Sequence, residues 1–419
     1  MQSEIIGQLY RRHRRPGGGR CPATGPSCVI PAWEGRNIFV QWRAGASMNA
    51  IRTAGVQLTE VTRIDDAFAL DIDRLAANAT EPNPFYESWC LRPALEFLST
   101  ETLQLLAVRN ATNELIGLLP LTFRPHFKRL PQRTLRSWIH ECAFLAAPLL
   151  HRRHLQEAVD AILDWFASKG AAAGVIELVD IRADGDVAAA LDTAIARRPQ
   201  LLSRRTRWTR AMHRLDVPDD PEHMSAKQRS TLRRKERRLG EEGALSYRTL
   251  SEGDDLATWL ANFLQVEASG WKGRAGTALG ADESRQAFLF AACQAAHARG
   301  QLHMLALELD GRPIAMKCNF VSGSQAFTFK IAYEEAHARH SPGVLIELFQ
   351  MRSIRETHPQ LEAVDSCTVA DNTMFPNLWP GQCVLGDYAI LHNTLVNRLM
   401  LNQGERVHRM LKRRLVGSP

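Results

Sequence analysis

Long apolar runs are missing from this chain of 419 residues. No stretch approaches the roughly 18 consecutive apolar residues that a membrane-crossing helix needs, so a helical membrane protein is excluded. Paired cysteines are missing as well. Cys21, Cys28, Cys90, Cys142, Cys293, Cys318, Cys367 and Cys383 form no CxxC pair, and no histidine cluster stands beside them. That argues against a zinc site, or any other metal site, and against a dense disulfide framework. Most of these cysteines read as small buried apolar residues in a reducing, cytoplasmic compartment. The basic N-terminus has no apolar stretch of the kind a secretory signal carries.

Excess charge is scarce outside that terminus. The net charge is +7, but seven arginines against two glutamates give the first 47 residues +5 and leave only +2 for everything else. A body so nearly neutral gives little support for a large nucleic-acid footprint. The arginine-, glycine- and proline-rich residues 1–47 show little periodicity and read as a disordered basic tail. A start of translation at Met48 is one expectation, an N-terminal interaction arm the other. With 45% hydrophobic and 23% charged residues, the remainder reads as globular and long enough for two domains.

Two parts of that remainder repeat each other. Leu105–Val108 and Glu114–Leu121 flank an asparagine turn, while Met304–Leu309 and Arg312–Phe320 flank Asp310-Gly311, a strong hairpin signal. The hairpins are offset by 198 to 199 residues. Each is followed by a helical pattern (His154–Ser168, Val344–Arg355) and by a strand ending in Val179-Asp180 or Val364-Asp365. A repeat of this size predicts a duplication and an α+β, mixed α/β sheet covered by helices. The halves are placed at 48–212 and 213–400, with a basic helix or tail over 401–419.

The second half carries the more informative segment, FKIAYEEAHARHSPGVLIEL over Phe329–Leu348. A strand ending at Tyr333 leads to Ser341-Pro342-Gly343 and a helix. Ser341 can cap the first amides, Pro342 suits the first helical position, and Gly343 lets a ligand approach the backbone. Such a helix start is either an ordinary cap or an anion site. The first half has Ala147-Pro148-Leu149 instead, without the hydroxyl and the glycine. A second helix, Ser225–Gly240, opens with a Ser225/Gln228 capping box and is lined with Lys and Arg; it reads as a solvated helix or as a phosphate platform.

Five ordered segments resemble one family: LRRKERRL (232–239), EASGWKGRAGTAL (267–279), FKIAYEE (329–335), RHSPG (339–343) and VDSC (364–367), followed by Asn377-Leu378-Trp379-Pro380. Together they resemble the CelD/BcsL-type acetyltransferases of the GNAT superfamily, which is related to the Fem-like peptidyltransferases with tandem GNAT-like halves. The resemblance covers most of 213–390. It implies a splayed sheet, with acetyl-CoA or another acyl-CoA as donor and Arg339, Ser341, Gly343 and Val344 at its phosphates. It also implies a small-molecule or saccharide acceptor in polysaccharide, cellulose or cell-envelope biosynthesis. A Fem-like transferase using aminoacyl-tRNA, the one setting in which nucleic acid enters, and a non-catalytic scaffold are the other readings.

Acyl transfer needs a base for the acceptor, stabilisation of the carbonyl oxygen, and a proton for the leaving thiolate. Glu267, closing an apolar helical run, is the candidate base; Tyr333 is the candidate proton donor; Asp365, at a strand end, is a second base or an orienting group. Trp271 and Lys272 in a glycine-rich turn, and Lys330 alternating with Phe329 and Ile331, are candidates for the acceptor. Each of these also has a structural reading: a solvated glutamate, a surface lysine, a packed aromatic ring.

Overall fold

The computed structural model describes residues 55–61, 63–127, 131–168, 173–215, 224–369, 372, 374–375, 378–379 and 381–399. The basic stretch 1–47 and the C-terminal stretch 401–419 lie outside the described residues. In chain order the first part comprises β1 (Val56–Val61), α1 (Asp66–Ala77), α2 (Ser88–Pro93), β2 (Leu103–Arg109), β3 (Leu115–Arg124), β4 (Thr134–Ser137) and β5 (Leu149–Leu150). It continues with α3 (Leu155–Ala167), β6 (Val175–Arg182), α4 (Asp186–Ala196) and β7 (Leu201–Arg214). There follow α5 (Ala226–Gly240), β8 (Leu245–Thr249), α6 (Leu256–Ser269), α7 (Trp271–Arg274), α8 (Glu283–His297), β9 (Leu302–Leu309), β10 (Arg312–Ser322) and β11 (Gln325–Tyr333). The last elements are α9 (Pro342–Thr357), β12 (Ala363–Asp365) and β13 (Gly381–His392).

Among the described residues, all thirteen strands form one mixed sheet in the order β1-β2-β3-β4-β6-β13-β7-β12-β11-β10-β9-β8, with β5 added against β3. The late strand β13 runs antiparallel to both β6 and β7 and so lies deep inside the sheet. From the sequence alone Leu391–Leu415 reads as one helix-like segment, but its first two residues belong to β13. The strand needs Leu391 and His392 to complete its ladder with Leu202 and Leu201, and helical backbone starts only at Leu395.

Both expected hairpins are present, β2–β3 and β9–β10. Asp310 and Gly311 turn the second with φ of 51° and 73°, positive at both central positions as a type I′ turn requires. A Cβ at Gly311 would touch nothing, so the cost of a side chain there is backbone strain alone. Gly311→Ala should lower stability by about 1 kcal/mol in urea unfolding.

One continuous core covers one face of the sheet. It takes Ile72 and Leu75 of α1, Trp89 of α2, Phe263 of α6 and Phe288 of α8 together with Phe320, Phe327 and Phe329 of the strands. Burying each such aromatic contributes about 1.5–3 kcal/mol. On the other face α3 and α4 cover the first strands, while α9 and Leu239 of α5 cover β9 to β11. α5 begins with the expected capping box: Ser225 accepts from the Gln228 amide, and the Gln228 side chain accepts from the Ser225 amide. No helix among the described residues is long and apolar enough to cross a membrane.

Candidate functional site

β11 and β12 are parallel neighbours for three residue pairs only, the last being Phe327 with Asp365. β12 ends there, and Cys367 turns away with φ of 51°; β11 runs on to Tyr333. The two strands therefore part, and a cleft opens at the middle of the sheet. A bulge shapes its edge. Cys318 of β10 faces Lys330 and Asn319 faces Thr328, so Phe329 is the extra residue. A bulge shifts every later side chain to the other face. Phe327 and Phe329 point into the α6–α8 core, whereas Ile331 and Tyr333 pack under α9. The alternation read in the sequence had put Lys330 opposite the phenylalanines. The bulge instead brings its ammonium 5.3 Å from the Phe144 ring and 5.5 Å from that of Phe329.

The α9 side of the cleft gathers Tyr333, Ser341, Gly343 and Val344. Ser341 does not cap the helix as expected. It sits in the left-handed region at φ 56° with no side-chain bond to the first turn, and its hydroxyl accepts from Lys235 Nζ of α5 at 2.7 Å. The Val344 and Leu345 amides both close on the Ser341 carbonyl. Pro342 has no amide hydrogen, so the first turn has little but the Gly343 N–H to offer a ligand. Gly343 sits close under Tyr333: a Cβ there would lie 3.3 Å from the ring, which would have to give by a few tenths of an ångström. Arg339 turns away to Glu242, 2.5 Å distant. Beside the helix start lies a cavity of about 360 Å³ lined by Met224, Leu232, Val344, Met374 and Leu378, with Lys227, Gln228 and Thr231 also on its walls.

The opposite face holds Glu267, Lys272 and Lys330. Glu267 is 3% exposed; one oxygen takes Lys272 Nζ at 2.9 Å and the other the Leu279 amide at 2.8 Å. The expected base thus has both oxygens engaged. Lys272 also donates to the Ile331 carbonyl on β11. Burial pushes its pKa below the ordinary lysine value, against the pull of Glu267. Nearby, His140 packs against Phe85, Trp138 and Phe288; burial lowers its pKa to about 3 and keeps it neutral. The side chain of Trp271 lies outside the described residues.

Asp365, at the closed end of the cleft, is likewise fully engaged. It pairs with Arg210 at 2.5 Å and accepts from the Cys367 amide at 2.9 Å. Arg210 escaped sequence reading, as did Lys235 and the wholly buried Lys317–Glu347 pair. Lys235 stood in a helix read only as a basic whole; the partners of the other two lie far away in sequence, where no local pattern marks them.

Residues 226–371 match the family model described as an acetyltransferase (GNAT) domain. The chain carries a GNAT-fold domain. The fold is shared with solved structures over most of the chain. FemX is 12% identical, covers 82% of this chain and 99% of its own, and has a TM-score of 0.51. A conserved protein of unknown function from Bacteroides thetaiotaomicron VPI-5482 is 10% identical, with coverage of 81% and 100% and a TM-score of 0.50. No curated protein matches the chain in sequence. At such low identities the likeness concerns the fold.

Proposed function

We propose that this chain is a cytoplasmic acyltransferase that moves an acetyl or longer acyl group from acyl-CoA to an amine or hydroxyl of a cell-envelope saccharide or its precursor. The observation that carries the reading is the join of three features at one place: the cleft between β11 and β12, a helix start bearing Gly343, and Lys235 held beside it by Ser341. The residues present fit the donor. An ammonium and an open amide suit a pyrophosphate, and the neighbouring apolar cavity suits the rest of a nucleotide-linked arm. The donor supplies an activated thioester. Tyr333, against Gly343 at the end of β11, is assigned the proton for the departing thiolate. Lys330 is assigned the acceptor side; Glu267 fixes Lys272 at the edge of β11, and Arg210 and Asp365 hold the closed end of the cleft.

Acetyl-CoA should raise the melting temperature saturably, by mass action on the folded state. Lys235→Ala should weaken that binding about tenfold, the equivalent of about 1.5 kcal/mol for one charge-assisted contact. Absence of any shift with acyl-CoA at millimolar concentration would sink the CoA reading. A second reading, an aminoacyl-tRNA donor, is favoured by a groove of about 590 Å³ along α5 lined by Arg229, Arg233, Arg234 and Arg237. Binding of charged tRNA that falls steeply with salt would move the assignment there.

A further inference from the structure

Six large apolar side chains stand exposed among the described residues, and four of them lie at one end of the sheet: Phe123, Leu395, Val396 and Leu399. Leu395 is the most open, at 73%. The strand register brings them to the same end. Arg124 of β3 pairs with Thr134 of β4, Thr134 with Val175 of β6, and Val175 with Leu391 of β13. This row spans three strand spacings, about 14 Å. Phe127 ties it together by packing on Val175 and Leu391. Helical backbone then starts at Leu395, just beyond the end of β13. Exposed apolar groups gathered at one end mark a contact surface.

The same end is basic. Arg124, Arg133 and Arg398 are all exposed there. Arg133 lies over the Phe123 ring at 4.9 Å; among the described residues, Arg124 alone of the three has a carboxylate partner, Glu101. From Leu121 to Ser137 the sequence holds no carboxylate, and from Asn393 to Pro419 six cations stand against Glu405 alone. The body outside residues 1–47 carries only +2, so its positive charge is concentrated at this end. Such a surface selects among partners. A second copy in a symmetric contact would bring like charges face to face. A nucleic acid would gain from the arginines but not from leucine and valine, which offer no face for base stacking. An anionic bilayer takes both: the acyl boundary receives the apolar groups, and the lipid phosphates receive the arginines.

We propose that this end of the sheet docks the protein on an anionic lipid bilayer, with Phe123, Leu395, Val396 and Leu399 at the acyl boundary and Arg124, Arg133 and Arg398 on the lipid phosphates. The contact is peripheral, since no helix among the described residues is long and apolar enough to cross a membrane. The sequence after Leu399 continues the same chemistry: Val407, Met410, Leu411 and Leu415 recur at helical spacing among the last cations. Docking does not depend on the acyltransferase reading, because none of these residues belongs to the cleft.

The test is flotation of the full chain with vesicles of phosphatidylcholine alone, and of phosphatidylcholine with about one-third phosphatidylglycerol. Binding to the anionic vesicles should exceed binding to the neutral ones about tenfold or more, and should weaken as salt is raised. Arg133→Gln combined with Arg398→Gln should reduce it about tenfold. Leu395→Gln combined with Leu399→Gln should also reduce it about tenfold, at unchanged charge. All four positions are exposed, so both variants should unfold in urea as the wild type does. Equal binding to the two vesicle types, or no binding to either, would overturn the proposal. So would a leucine variant that binds like the wild type, since charge alone would then hold the protein. Binding carried by the basic residues 1–47 would survive both double substitutions and overturns it equally. A lipid-free dimer in sedimentation that the leucine variant loses would give this face to a second copy instead. The acetyl-CoA shift should be the same in the wild type and both variants, so this proposal and the donor assignment fail separately.

Discussion

Glu347→Leu will lower the unfolding free energy by about 3–5 kcal/mol, the usual cost of leaving a buried charge without its partner. Glu347 of α9 and Lys317 of β10 are both fully buried and lie 2.5 Å apart. The lysine ammonium also lies over the rings of Phe375 and Trp379, each 5.5 Å away. Burial pushes the Lys317 pKa down and the Glu347 pKa up, each against the attraction of the other. The pair is therefore costly to keep and costlier to break. Lys317→Met combined with Glu347→Leu should return to within about 1 kcal/mol of the wild type, since well-packed apolar residues replace such pairs at little loss. Urea unfolding of the two singles and the double gives the coupling directly. Additive single effects would mean that the two groups do not act as a pair.

This pair also marks where local pattern stops informing. Hairpins, helix starts and the basic helix were legible because each is written within some twenty residues: Asp310-Gly311 for a turn, Ser225 and Gln228 for a cap, Pro342 for a first helical turn. The duplicated order of elements gave the mixed sheet. What escaped was set by distance or by a single inserted residue. Nothing near Lys317 announces Glu347, thirty positions on, and nothing near Asp365 announces Arg210, 155 positions earlier. The bulge at Phe329 leaves no mark on the alternation of Phe327, Phe329 and Ile331, yet it moves Lys330 to the other face. Ser341 and Gly343 were found for their types, but the fold places them otherwise: the serine holds Lys235, and the glycine sits close under Tyr333. The carboxylates Glu267 and Asp365 were found where sites are common, at a helix end and a strand end, and only three-dimensional packing reveals that both are already bonded.

Arg210→Met will destabilise the protein by about 3–5 kcal/mol at pH 8, and the pH dependence will identify the cause. Arg210 is 3% exposed in its side chain and Asp365 1%. Besides Asp365, the guanidinium donates to the Phe144 carbonyl at 2.9 Å, so it ties the segment after β4 to β12 across β7. Methionine fills much of the volume but leaves a carboxyl group in a low-dielectric site with one amide as its partner. That carboxyl can escape by taking up a proton, so in the variant the folded state binds protons more readily than the unfolded chain. Stability then falls as pH rises, and the deficit against the wild type narrows as pH is lowered from 8 to 5. Asp365→Asn is the opposite case. It strands a guanidinium that cannot lose its proton, and its deficit should stay nearly constant over the same range. Unfolding free energies of the three proteins at pH 5, 6.5 and 8 distinguish a broken charge pair from lost packing, because a packing defect would shift all three curves in parallel. If the Arg210→Met deficit is flat with pH, the guanidinium contributes shape rather than charge, and the closed end of the cleft is held by volume alone.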